Sequence, residues 1–447
     1  MFVNFGGPGA GAIDALHAIG ADLFSGLTQS YDLIGMDPRG TGLTVPSIDC
    51  HVDQEFTGLY SKPFWTPENI DLATWQSKSR ALVDSCKSNN GDVLEHVDTA
   101  DVARDMDYIR SLMGVKKLNY FGFSYGTYLG ATYATLFPHN YRSMVLDGAL
   151  DPSQYANDPT AGLRLQSQGF EVALGRFFQA CAAQQDACGF GGADPWSAFD
   201  ELHDSLNATP QPSGDGRFVN GDDMLVGIIF VTMYAKQNWS FAAFALQSAA
   251  AGDYSVLRFL ADLAYGRLDD GTTDPGTDRY FTIGAADQDY SHRSIDSFIY
   301  EGERSFELFP HTYFNVGYVE LPYNLLGSDK DAFRGPFQLP NDAETPLVVG
   351  TTYDPATPYV GAKAMVRQLG NARLLTMRRR TLDHRLQRRS RPPKWHRPST
   401  RIRRRHMIFF PYQALLRLSR PCVPADRPGR DPVDHSDVRF AARVADI

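Results

Sequence analysis

Along the first 150 residues, short apolar runs alternate with segments of helical period. The runs are "MFVNF", "YDLIGMD", "KLNYFGFS" and "SMVLDGAL", and "AIDALHAIGADLF", "VARDMDYIRSLMG" and "YLGATYATLFP" lie between them. Such alternation predicts a parallel sheet covered on both faces, because parallel neighbours need a crossover and the crossover helix packs on a face. From Asp151 to about residue 343 the pattern becomes helical, with "LQSQGFEVALGRFFQACAA", "PWSAFDELHDSL" and "WSFAAFALQSAAAGDYSVLRFLADLAYG" separated by Gly, Asp and Pro loops. "TPLVVGTTYD" then returns to a buried strand that ends in an acid, "PATPYVGAKAMVRQLG" reads as a helix and "ARLLTM" as a last strand. The expected architecture is an α/β sheet built from residues 1–150 and 344–377, with a helical cap inserted over 151–343.

After Met377 the periodicity stops. Arginine interleaved with Pro, Ser and His fills 378–447, and the segment reads as disordered or out of frame. Of 43 Lys+Arg and 52 Asp+Glu, about 19 and 6 fall from Arg378 onward, so the tail carries about +13 and the body about −22. An acidic body argues against nucleic acid as the partner, since phosphate binding needs a basic footprint. No run of 18 apolar residues is present, which excludes a transmembrane helix. Met1 opens directly on an apolar strand without a charged leader, as expected of a cytosolic chain or of one missing its first segment. Four cysteines in the body, Cys50, Cys86, Cys181 and Cys188, allow three pairings, of which 50 with 86 and 181 with 188 is the local choice. Free buried thiols are the other reading. "NAT" at Asn207 and "NWS" at Asn238 are sequons consistent with a secretory route.

The chemistry concentrates where strands end. "GFSYG" at Gly122–Gly126 fits G-x-S-x-G between a strand and a helix, which makes Ser124 the candidate nucleophile on a turn too sharp for flanking Cβ atoms. "NFGGPGAG" follows the first strand. Its glycines let main-chain N–H groups face a ligand, so Gly7, with Gly6 as alternative, and Tyr125 are the candidate oxyanion donors. Asp354 in "GTTYDPATP" lies beyond a late strand, in the Ser-then-acid order that a triad on such a sheet requires. "DPRGTG" at Asp37–Gly42 reads as structural, with Asp37 and Arg39 pairing to brace the glycine turn.

Together, "GGPG", "YDLIGMDPRGTGLTVPSIDC", "YFGFSYGTYLGATYATLFP", "VLDGALDP" and "TPLVVGTTYDPATP" resemble the tripeptidyl aminopeptidase and proline iminopeptidase group of α/β-hydrolase serine peptidases, over residues 1–377. The resemblance implies a Ser-His-Asp triad under a helical cap and release of short peptides or residues from a free N-terminus, without a cofactor or metal. It also implies a secreted parent protein with further strands before "GGPG". Esterases of small acyl compounds in the wider group supply the alternative activity. The expected partner is a peptide or small acyl substrate, neither nucleic acid nor membrane, and the oligomeric state is open. Carboxylates that meet an α-ammonium group are sought at Asp287, and at Glu301 and Glu303 in "YEGER". The family's two further cap-region cysteines are absent, where the chain reads "IGAADQD" and "VELPY".

The histidine departs from the family pattern. Relatives of this group follow the last strand with a segment like "MDGDGH", whereas here Met377 is followed by "RRRTLDHR". Writing "MDGDGHWTTAYS" in suitable codons and deleting GA after ATG yields Met-Arg-Arg-Arg-Thr-Leu-Asp-His-Arg-Leu-Gln, the sequence from Met377 to Gln387. The tail is therefore read as out of frame. His384 is the candidate base in the chain as written.

Overall fold

The computed structural model describes residues 1–378. Its strands are β1 (Phe2–Asn4), β2 (Ile34–Gly35), β3 (Leu118–Phe123), β4 (Tyr141–Asp147), β5 (Gln211–Pro212), β6 (Phe218–Val219), β7 (Leu347–Thr351) and β8 (Arg373–Met377). Six of them form one sheet in the order β2-β1-β3-β4-β7-β8, parallel at every pairing, while β5 and β6 make a separate antiparallel hairpin. Parallel pairing brings all C-terminal strand ends to one edge, where Phe123 pairs with Asp147 and Thr351 with Met377. That edge receives the glycine turn after β1, Ser124 after β3 and the Asp354 turn after β7.

Helices cover both faces because each strand presents apolar residues on both sides. Phe24 and Leu23, from helix Ala12–Leu23 and its C-cap, pack with Val3, Phe5 and Phe121 on one face. Trp75, Val83, Met106, Tyr128 and Leu129 pack with Tyr120, Met144 and Val348 on the other. Helix starts follow the sequence signals: the side chains of Asp71, Asp98, Asp151, Asp158 and Asp194 each accept a first-turn N–H, a contact worth about 1 kcal/mol per helix. Proline occupies the first turn after three of these caps.

The helical block over 151–343 divides between two cores. Pro159–Ala183, Pro195–Ala208, Trp239–Ala250 and Ser255–Tyr265 bury Phe170, Leu174, Phe199, Leu246 and Leu260 in a core of their own. Gly276–Asp287, Ile295–Leu308 and Leu321–Leu326 instead add Phe281, Phe298, Leu321 and Tyr323 to the sheet's core. Helical periodicity marks an apolar stripe and is silent on which core the stripe joins. Phe64, from the loop before helix Leu72–Asn90, crosses into the cap core and stacks on Phe314 at 4.5 Å. Beside it the fully buried Arg258 pairs with Glu55 (2.9 Å) and Asp262 (3.1 Å), and Lys62 pairs with Glu55 (2.7 Å) and Asp223 (2.8 Å).

Two expectations are corrected in detail. "YDLIGMD" keeps only two residues of strand, because Asp37 turns the chain back, accepting the N–H of Ile13 (2.9 Å) and of Leu43 (2.8 Å). Arg39 does not pair with Asp37. Its guanidinium reaches Asp105 (2.7 Å) and Asp101 (2.8 Å) on helix Thr99–Leu112, a bidentate carboxylate match. The cysteines pair locally, Cys50 with Cys86 and Cys181 with Cys188. No described helix is long and apolar enough to cross a membrane.

Candidate active site

Ser124 sits between β3 and helix Tyr125–Leu136 at φ 52°, ψ −122°, a conformation that costs a non-glycine residue about 1–3 kcal/mol and persists only where neighbours impose it. The neighbours are identifiable. Ser124 N–H donates to the Asp147 carbonyl (3.0 Å), and its own carbonyl accepts from the Thr127 N–H (2.8 Å) and hydroxyl (2.6 Å). A Cβ at Gly122 would lie 2.7 Å from the Gly126 carbonyl carbon, and one at Gly126 would lie 2.7 Å from Asn4 Oδ1. Both glycines of "GFSYG" are therefore steric requirements of the turn.

The turn after β1 lies directly against this serine. Gly6 and Gly7 adopt φ 99° and 114°, and a Cβ on Gly6 would stand 3.0 Å from Ser124 Cβ. The Gly6 N–H is committed to Asn4 Oδ1 (2.9 Å), and of the two candidate donors Gly7 is the one in the cavity wall. Tyr125 offers its N–H from the first position of the helix, where the dipole favours negative charge. Asn4 was not singled out from the sequence. A buried polar residue closing an apolar strand just before a glycine run is the signal that points to it.

Asp354 follows β7, and its Oδ1 accepts the N–H groups of Ala356 (3.1 Å) and Thr357 (2.9 Å), which fixes the carboxylate to its own turn. The end of β8 lies alongside: Thr352 N–H donates to the Met377 carbonyl at 2.8 Å. The acid and serine turns meet at Gly148 (φ 64°), where a Cβ would be 2.9 Å from Thr357 Oγ1 and 3.8 Å from Ser124 N. Asp147, beside both, has its pKa pushed up to about 7 by burial and by the charge of Asp354. His384 lies outside the described residues. Among the described residues no histidine lines the Ser124 cavity. His311 is held in the cap between Glu171 (3.0 Å) and Asp200 (2.8 Å); burial lowers its pKa, but the two carboxylates outweigh it and the net shift is upward.

Above Ser124 is a cavity of about 180 Å³ walled by Gly7, Tyr60, Tyr155, Leu163, Phe230, Tyr234, Tyr280 and the amides Gln166, Gln288 and Asn315. The three carboxylates expected at an α-ammonium site are elsewhere. Asp287 is buried behind the wall, accepting the Thr99 N–H and hydroxyl (2.7 Å each), and burial pushes its pKa up to about 7. Glu301 is buried against Arg164, at 3.3 Å, and Glu303 is exposed. Helical spacing placed these residues on the cap without telling which face meets the cavity. Among the described residues, Asp151 is the acid in the wall; its Oδ1 accepts from Gln154 N–H (3.1 Å) and Gln368 Nε2 (2.6 Å). The aromatic wall also escaped sequence reading, because Tyr60, Tyr234 and Tyr280 come from segments far apart in the chain.

The α/β-hydrolase-fold family model matches residues 6–378. This chain belongs to the α/β-hydrolase family. The match ends one residue beyond β8, and it spans the strand-turn-helix that carries Ser124. Among curated proteins, this hydrolase is 30% identical over 387 residues to serine protease Hip1 of Mycobacterium tuberculosis, covering 83% of this chain and 72% of that protein. It is 28% identical over 393 residues to tripeptidyl aminopeptidase of Streptomyces lividans, covering 85% and 70%. It is also 32% identical over 377 residues to carboxylesterase B of Mycobacterium tuberculosis, covering 83% and 71%. Family and relatives together make this chain a serine hydrolase.

Proposed function

We propose that this hydrolase is an exopeptidase that releases short peptides or single residues from free N-termini through an acyl-enzyme on Ser124. The observation that supports the reading is the small roofed cavity directly over Ser124, with the Asp151 carboxylate in its wall. A cavity of about 180 Å³ suits a short acyl segment rather than a chain passing through, and Asp151 supplies the negative charge that an α-ammonium group requires.

In this reading Ser124 Oγ attacks the substrate carbonyl while a histidine removes its proton, and the Gly7 and Tyr125 N–H groups hold the oxyanion. The imidazolium, oriented by Asp354, protonates the leaving amine. Water then repeats the sequence on the ester and frees Ser124. His384 is the base that the written chain offers. The alternative is that the codons after Met377 have shifted frame and the ancestral base lies in a neighbouring frame, which agrees with a family match ending at residue 378. Sequencing the DNA across codon 377 decides between them, because a neighbouring frame without a Gly-His segment eliminates the shift. Secretion is part of the proposal, supported by two disulfides, which persist in oxidising compartments.

Hydrolysis of a tripeptide anilide with a free and with an acetylated N-terminus tests the activity. The exopeptidase reading expects cleavage of the free form and loss on acetylation. Equal rates on both, with faster turnover of short acyl esters, would establish the esterase reading, which the uncharged remainder of the wall and the carboxylesterase relative favour.

A further inference from the structure

Helix Pro159–Ala183 crosses the acid turn and touches it at three levels. Gln166 Nε2 donates to the Ala356 carbonyl at 2.9 Å. One turn further on, Gly169 faces Pro355 so closely that a Cβ would lie 3.0 Å from Pro355 Cα and nearer still to its carbonyl oxygen. Two turns beyond that, the Arg176 guanidinium lies 4.0 Å over the ring of Tyr353. Spacings of three and seven put these residues on one face of the helix. Their contacts, Tyr353, Pro355 and Ala356, flank Asp354 on both sides. Tyr353 is itself held at φ 62°, a conformation a bulky residue keeps only under external support.

We propose that this face of the cap helix sets the position of the catalytic acid, with Gln166, Gly169 and Arg176 as positioning residues; the proposal rests on the reading of Asp354 as the triad acid. The carboxylate is fixed to the N–H groups of Ala356 and Thr357, so displacing Ala356 displaces Asp354 Oδ1 with it. The same helix contributes Leu163, Leu165 and Gln166 to the cavity wall. A bound acyl group that presses on this wall therefore acts on the acid turn through a single rigid element.

Gly169→Ala is the primary test. Alanine is the better helix former, so the helix gains stability while the added methyl pushes on Pro355. Gly169 and Arg176 lie outside the cavity wall. Hydrogen exchange of residues 353–358 is expected to speed up about five- to tenfold in Gly169→Ala and in Arg176→Ala, the effect of losing one supporting contact. Phosphonylation of Ser124 by a fluorophosphonate should slow with it, and kcat should fall at unchanged KM. Gly175→Ala, whose methyl meets only the Trp196 ring at 3.3 Å, should change neither.

Unchanged exchange over 353–358 in both variants overturns the proposal, and this readout decides it even if the parent chain does not label. Faster exchange, with Asp354→Asn labelling as fast as the parent, overturns the catalytic part instead: the helix would then clamp a turn that carries no triad acid.

Discussion

Ser124 takes its position from the sheet it belongs to: the Asp147 carbonyl, Thr127, and two glycines packed against Asn4 and each other's turn. Asp354 takes its position from across the molecule, from a cap helix nearly 200 residues earlier in the chain. The first arrangement is local and rigid. The second couples chemistry to the cap, so that substitutions in the cap tune the acid while leaving the nucleophile in place. One long-range support does reach the serine side, where Asp287 holds Thr99 and the Thr99 hydroxyl meets the Tyr125 hydroxyl.

The largest effect separating the two halves is expected from Ser124→Ala, which should lower kcat/KM by about 10⁴- to 10⁶-fold in an ester assay, leaving only oxyanion and binding contributions. Asp354→Asn should cost about 10⁴-fold, because the imidazole loses its orienting charge. A drop under tenfold would mean that another acid, with Asp147 the nearest candidate, fills the role. Gly6→Ala places a methyl 2.7 Å from the Phe123 carbonyl oxygen and 3.0 Å from Ser124 Cβ. It should lower kcat by about 10²- to 10³-fold through the displaced oxyanion donor. A normal rate would show that the turn after β1 is not the oxyanion turn.

Smaller effects test the cavity and the long-range support. Asp151→Asn keeps a good helix cap and removes the charge; it should raise KM about tenfold for peptides with a free N-terminus and leave acetylated substrates unaffected. Asp287 has a folded-state pKa of about 7, above the unfolded value of about 3.9. Between these values the folded state binds the extra proton, so this stability contribution is full below about pH 4 and is lost as the pH rises through 7. Asp287→Asn should therefore flatten the decline in urea-unfolding free energy between pH 5 and 7 by about 2 kcal/mol. An unchanged pH profile would mean that Asp287 is ionised throughout this range.

What could be read from the sequence follows the same division. Ser124 and its flanking glycines were legible because a sharp strand-to-helix turn makes its steric demands within five residues. The Asp354 turn was legible as a strand end followed by Asp-Pro, but the Gln166, Gly169 and Arg176 contacts that hold it were not, since helical spacing gives a face and not its neighbour. Asp287, Glu301 and Glu303 failed as wall residues for that reason: two are buried in partner contacts and one faces solvent. Asp151 was visible only as the start of the helical block, with nothing to mark its place in the wall.

The buried pairing of Arg258 and Lys62 with Glu55 and Asp223 has a consequence for traffic into the enzyme. Glu55 and Lys62 belong to a loop anchored beside the sheet, whereas Arg258 and Asp223 belong to the cap, and parting them strands charges in an apolar interior at about 3–5 kcal/mol for a single partner. The roof is thus bolted down rather than hinged. Any entry of substrate that required lifting the cap at this seam would carry that cost.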